Sequence, residues 1–275
     1  MRCKLRGKNL FHPHFYLLFN MKVVIIGTGN VAYALAEKIS HAAEHKLLQI
    51  AGRNAMHAER IASHVNVPFT GTLDHLDRKA DLYVVAVTDE SLENIGEWLK
   101  LDKKLIVHTA GSVGIDVLQK VSTNYGVLYP LQSLKRGIKV PDEIPLLVDG
   151  NSPDDLALIK DFALSISSKV EVADDLTRKK IHLAAVFVNN FSNHLYALAE
   201  RYCEQEQLSF DLLKPLIVET AARLHSQSAE RSQTGPALRN DQSTISKHET
   251  LLKNYPELRK IYEMMNKSIR EFHAE

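Results

Sequence analysis

MKVVIIGTGNVAYALAEKIS, residues 21–40, decides how the rest of the chain is read. It holds an apolar run, 23–26, then Gly27-Thr28-Gly29-Asn30-Val31-Ala32, then a helical pattern. The spacing is G-x-G-x-x-A, directly after an expected strand and directly before an expected helix. That context separates a dinucleotide-binding turn from a chance glycine pattern. Gly27 permits the tight turn, Gly29 lets the backbone approach a pyrophosphate, and Ala32 is small enough for helix to pack on strand. The free N–H groups and positive dipole end of a helix starting near Asn30 and Val31 then face the phosphates. The bland alternative is a tight βα turn with no ligand.

Working outward, the second strand covers 46–51 and ends in Gly52-Arg53-Asn54. An NAD site expects an acidic side chain about 20 residues past the glycines, on the ribose 2′-hydroxyl. Arg53 and Asn54 stand there instead. A planar guanidinium suits a 2′-phosphate, so the expected cofactor is NADP(H), with a solvent-facing loop arginine as the alternative. A helix over 56–64 follows, then a short strand near Phe69. The run 81–87 is almost continuously apolar, as a parallel strand buried on both faces should be. It ends at Thr88-Asp89-Glu90-Ser91, where Asp89 or Ser91 is expected to cap the helix carrying Trp98. Ligands of doubly wound sheets bind outside the carboxyl ends of the strands, which makes Thr88 a candidate cofactor contact.

The next strand, 104–107, ends in His108-Thr109-Ala110-Gly111-Ser112, with a helix expected from Gly114. A further strand leads to Tyr129-Pro130-Leu131-Gln132-Ser133. Both polar clusters fall on the same sheet edge as the glycine turn, so His108, Ser112 and Gln132 are candidate substrate contacts. Loop hydrogen bonding explains His108 equally well, and Gln132 and Ser133 also suit a turn after proline. Residues 145–148 form another strand. Ser152 caps the following helix with Pro153 in its first turn, and 169–172 reads as an edge strand. Alternating strands and helices mean an α/β fold with a doubly wound, mostly parallel sheet.

After Ala173 the strand signal stops. Residues 174–206 read as one long helix, with three more helical segments behind it. The expected domains are therefore a nucleotide-binding domain over 21–174 and an all-α domain over 175–275. On the long helix His182, Val186, Asn189 and Asn193 share one face, with Asn190 at its edge. The neighbouring residues are apolar, so this helix is expected to be buried on most sides. Buried amides need partners. Substrate or nicotinamide is one candidate partner, and a neighbouring helix or second subunit is the other. Near Gly235-Pro236, Arg239 is placed to hold a carboxylate bidentately or simply to pair with Asp241. Ser243 or Thr244 is expected to cap the next helix.

The totals exclude some classes. The chain has 275 residues with 45% hydrophobic, 24% charged and a net charge of +1. That balance argues against a nucleic-acid binder, and no apolar run has the length of a membrane span. Cys3 and Cys203 make neither a disulfide framework nor a metal site, so a reducing, cytoplasmic setting is expected. Residues 1–20 are basic and aromatic, and read as a tail or an upstream start ahead of Met21.

GTGNVAYALA at 27–36, Tyr129-Pro-Leu-Gln-Ser133, the stretch from His182 to Asn190 and Thr234-Gly-Pro-Ala-Leu-Arg239-Asn-Asp241 together resemble the Rossmann-like plus DUF2520 proteins. These are NADP oxidoreductases, distantly similar to pyrroline-5-carboxylate reductases and β-hydroxyacid dehydrogenases. The resemblance covers residues 21–275. It implies a Rossmann domain, a helical domain that often forms homodimers, and a small-molecule pocket. β-Hydroxyacid dehydrogenases use a lysine four residues before an asparagine as their acid–base pair. Asn190 fits the asparagine, but Val186 stands where the lysine would be. His182, one turn away, is the substitute candidate, and an imine substrate would bring its own proton. The two functional expectations are hydride transfer to a small carbonyl or imine, with His182 and Asn190 catalytic and Asn189 on the substrate, or NADP binding without turnover in a regulatory protein.

Overall fold

The computed structural model describes residues 20–274. The expected tail or upstream start at 1–20 lies, but for Asn20, outside them. The described chain divides into two compact units, one up to Phe187 and the other from Val188 onward.

The first unit is built on an eight-stranded sheet: β1 (Lys22–Ile26), β2 (Lys46–Ala51), β3 (Phe69–Thr70), β4 (Leu82–Val85), β5 (Leu105–His108), β6 (Tyr125–Pro130), β7 (Leu146–Gly150) and β8 (Val170–Val172). Their order is β3-β2-β1-β4-β5-β6-β7-β8. All pairs are parallel except β6 with β7. The first six strands thus have the Rossmann order, and the chain reverses direction across the sheet between β1 and β4. Alternation along β1 assigns the two faces. Val23 and Ile25 join one buried cluster with α1 (Asn30–His41), α2 (Ala55–Val65) and α5 (Pro153–Ile166). Val24 and Ile26 join the other, with Leu92 of α3 (Asp89–Glu93) and Ile95 of α4 (Ile95–Trp98). Every residue of β4 and β5 is buried, as central strands covered on both faces must be. β8 is the edge strand expected.

The expected helix after Gly114 is only a 3₁₀ turn, Ile115–Leu118. Gly111, Gly114 and the β-branched Val113, Ile115 and Val117 leave too little helix propensity to nucleate a full helix. Trp98 lies on the separate α4, which begins after Asn94 with no side-chain cap, and Thr88, not Asp89 or Ser91, caps α3, its side chain accepting from Ser91 N. The chain enters that helix one residue earlier than expected. α5 begins as read: Ser152 Oγ accepts from Asp155 N at 3.1 Å and donates to Asp155 Oδ2 at 2.6 Å.

α6 (Asp175–Ala185) closes the first unit, and a π turn, Val186–Phe191, follows it. The expected single helix over 174–206 is therefore interrupted by one wide turn. It is also not buried on most sides, for Leu183 and Val188 are 60% and 77% exposed. The second unit contains α7 (Ser192–Gln205), α8 (Lys214–Arg223), α9 (Gln242–Leu251) and α10 (Pro256–Phe272). Within it Tyr202 packs edge-on against Tyr255, whose hydroxyl donates to Glu206. His248 Nδ1 lies 2.8 Å from the Tyr262 hydroxyl. Asp241, rather than Ser243 or Thr244, caps α9 by accepting from Thr244 N at 3.0 Å. A carboxylate two or three residues upstream outcompetes hydroxyls for the bare N–H groups, because the helix end is positive. Among the described residues no helix is long and apolar enough to cross a membrane.

Candidate active site

The carboxyl ends of β1, β2, β4 and β5 open onto one cavity of about 1040 Å³. It sits where the strand order reverses, the place a doubly wound sheet leaves for a ligand. Gly27 turns the chain out of β1 with φ +140°, and its N–H donates to Ala51 O at 2.8 Å. A Cβ there would stand 2.0 Å from Ala86 O, whereas a Cβ on Gly29 would meet nothing within 4 Å. The fold itself requires the first glycine. The second leaves open space over the start of α1. That helix end is bare: Gly29 caps it with no side-chain acceptor, and no acid stands in its first turn. Four helical N–H groups without partners and an open approach suit a phosphate.

Arg53, on the loop after β2, lines the cavity and donates to Ser91 Oγ at 3.1 Å. Asn54 does not line it. Its side chain accepts from His57 N at 3.0 Å and caps α2, while the His57 side chain lines the cavity in its place. Thr88 lines the cavity at the start of α3. Ser112 and Asp89, which hydrogen-bond one another, and Gln132 also line it.

His108 does not line the cavity. It is wholly buried, and its Nδ1 accepts from Ala110 N at 3.2 Å. Burial, aided by the nearby Arg178 guanidinium, pushes its pKa down to about 3. It is a neutral core histidine, because β5 runs one residue further than read and carries the ring inside. Arg178, also fully buried, donates to Val113 O and to Asp175 Oδ1, each at 2.6 Å.

His182, on α6, does line the cavity. Its Nδ1 lies 2.8 Å from the Tyr129 hydroxyl, and the rings meet edge-on with centroids 5.8 Å apart. A Cβ on Gly111 would stand 2.7 Å from His182 Nδ1 and 2.9 Å from Tyr129 Cζ, so glycine at that position makes room for the pair. Burial raises the Tyr129 pKa, keeping the phenol protonated. The other site residues read from the sequence lie in the second unit. Asn189 and Asn190 are exposed on the π turn, Arg239 is exposed, and Asp241 is spent on its cap. Hydrogen bonds to Thr244 hold the Asp241 carboxyl below its ordinary range.

Arg136, which lines the cavity, and Tyr129, which bonds the cavity residue His182, carry no functional signal in the sequence. Tyr129 belongs to the 129–133 cluster, but nothing local shows that it meets a histidine 53 residues away. Arg136 lies in the connection between β6 and β7, a basic loop with no motif, yet its Nη2 donates to Thr28 O at 2.5 Å.

Comparison with known proteins bears on this geometry. A family model described as NADP oxidoreductase coenzyme F420-dependent matches residues 22–111. A second, described as DUF2520, a domain of unknown function, matches residues 144–269. The crystal structure of a candidate NADP oxidoreductase from Bacteroides fragilis is 35% identical, with a TM-score of 0.86, and the match covers 92% of this chain and 99% of that one. This chain belongs to that family of NADP oxidoreductases, with a DUF2520 domain over residues 144–269. Its fold also occurs at lower identity. A 1-pyrroline-5-carboxylate reductase from Streptococcus pyogenes is 14% identical with a TM-score of 0.62, covering 92% of this chain and 99% of that one. An imine reductase from Myxococcus stipitatus, in complex with NADP+, is 15% identical with a TM-score of 0.60, covering 91% and 93%. Those two likenesses concern the fold alone. No curated protein matches the chain. The stretch matched by the NADP oxidoreductase model contains the bare helix end and open glycine turn that suit such a cofactor.

Proposed function

We propose that this chain binds NADP(H) in the cavity and reduces a small carbonyl or imine. The observation that carries the reading is that the glycine turn, Arg53 and His182 all line one space. Gly27, Gly29, Asn30 and Val31 would hold the diphosphate, Arg53 the 2′-phosphate, and Thr88 the middle of the cofactor. The nicotinamide supplies the hydride when bound. His182 holds the proton. In its doubly protonated form Nδ1–H donates to Tyr129 Oη and Nε2–H is free for a substrate oxygen. Giving up the Nε2 proton leaves a neutral ring still anchored on Tyr129. An imine that arrives protonated needs only the hydride, and then His182 serves to orient it. The pyrroline-carboxylate and imine reductases that share the fold support the imine class, as does Val186 at the place of a catalytic lysine. Ser112 and Gln132 are the substrate contacts on the sheet side, and Asn189, Asn190, Arg239 and Asp241 remain candidates from the helical unit.

The same proposal assigns residues 21–174 to the cofactor and 175–275 to substrate and dimerisation, with α6 bringing His182 to the first unit's cavity. The second unit exposes Leu212, Leu216, Val218, Met264 and Phe272, apolar area that favours association where it is contiguous. A homodimer through this unit would cover it, and light scattering at micromolar concentration tests that; a monomer overturns it.

The deciding experiment follows NADPH oxidation with a panel of cyclic imines and small ketones. Turnover should fall about 100-fold in His182→Ala, the usual contribution of a positioned acid, with NADPH affinity unchanged. Tyr129→Phe should fall less and shift the pH profile. Tight NADPH binding with no turnover on any substrate would leave the regulatory reading, which the valine at 186 favours.

A further inference from the structure

Arg136 is a cation that makes no ion pair among the described residues. It is nonetheless held in place. Its Nη2 donates to Thr28 O at 2.5 Å and its backbone N donates to Asn30 Oδ1 at 3.3 Å. Lys38, on α1, donates to Asp142 O at 2.6 Å and ties the same loop to the helix from the other end. The guanidinium therefore stands over the glycine turn, beside the positive end of α1, and like charges there repel. Its Nε is buried with no hydrogen-bond partner. Leaving such a donor unpaired is costly. Two positive features thus converge on the open space above Gly29, and no acidic residue of α1's first turn answers them.

We infer that Arg136 clamps the diphosphate of the dinucleotide, closing over the glycine turn from the loop between β6 and β7. The inference rests on the nucleotide reading above and adds a residue to it. A dianionic diphosphate would neutralise both the guanidinium and the helix end, and would give Nε an acceptor. A 2′-phosphate would not reach this position by the same route, because the ribose lies toward the loop after β2, where Arg53 stands. The two arginines thus divide the work. Arg53 reads the group that separates NADP from NAD, and Arg136 reads the group that both share.

Calorimetric titration of the full chain with NADPH, NADH, ADP-ribose and 2′-AMP tests this without any turnover. Arg136→Met should weaken NADPH, NADH and ADP-ribose alike, by about 10- to 100-fold, the size of a charge-assisted hydrogen bond, and leave 2′-AMP within about twofold. Arg53→Ala should do the reverse, weakening 2′-AMP and NADPH only. Arg136→Lys, which keeps the charge without the fork, should recover part of the ADP-ribose affinity. ADP-ribose binding to Arg136→Met as tight as wild type, no recovery in Arg136→Lys, or an equal loss of 2′-AMP would each overturn the assignment. If the wild type binds no nucleotide, the nucleotide reading itself falls. If the wild type binds and Arg136→Met binds equally, only the clamp does.

Discussion

A methyl group added at Gly27 would collide with Ala86 O, while one added at Gly29 would enter empty space. The two glycines of one turn therefore fail differently. Gly27→Ala should cost about 3 kcal/mol of stability, through overpacking and a disfavoured φ, measured by urea unfolding. Gly29→Ala should leave stability within about 0.5 kcal/mol yet lower NADPH affinity at least tenfold, because its methyl takes the phosphate's place. His108 makes a prediction of another kind. Its folded pKa is about 3, below the ordinary value near 6.5. The unfolded chain thus binds a proton that the folded chain does not. This contribution is fully present above about pH 6.5 and is lost as pH falls toward about 3, at about 1.4 kcal/mol per pH unit. His108→Gln should flatten the slope of stability against pH in that window; an unchanged slope would contradict the buried neutral ring.

Among the elements, α5 is the one whose start was fully legible. Ser152, Pro153 and Asp155 supply the cap, the first-turn proline and the reciprocal carboxylate that a helix start requires. Ser152→Ala should lower the stability by about 1 kcal/mol in thermal or urea melts, with no effect on nucleotide binding. The α3 and α9 starts were legible only to within a few residues, since Thr88, Asp89 and Ser91, or Asp241, Ser243 and Thr244, all suit a cap. The backbone path chooses among them. The helix expected after Gly114 fails for a local reason that the sequence does carry, the β-branched Val113, Ile115 and Val117 around that glycine, although the βα rhythm of the preceding chain points to a helix.

For the molecule as a whole, ligand linkage offers the broadest test. NADPH at about 100 times its dissociation constant should stabilise the folded chain by about 2.7 kcal/mol, raising its melting temperature by about 5–10 °C. NADH at the same concentration should raise it less. Equal shifts would remove the 2′-phosphate role of Arg53, and no shift with either would remove the cofactor reading.

Periodicity and turn chemistry act over a few residues, so the β1–turn–α1 unit, the buried strands and the Rossmann order were open to reading from the chain alone. So were Gly27, Gly29 and Arg53 at the sheet edge, because the glycine turn is local. The partners of His182, Arg136 and His108 were not. Tyr129 and His182 are 53 residues apart, and Arg136 meets Thr28 across 108. Whether β5 ends before or after His108 decides between a substrate contact and a core histidine, and a single residue of strand length turns a side chain from one face to the other. Such contacts depend on how separate elements are brought together, and close packing in three dimensions, not spacing along the chain, selects them.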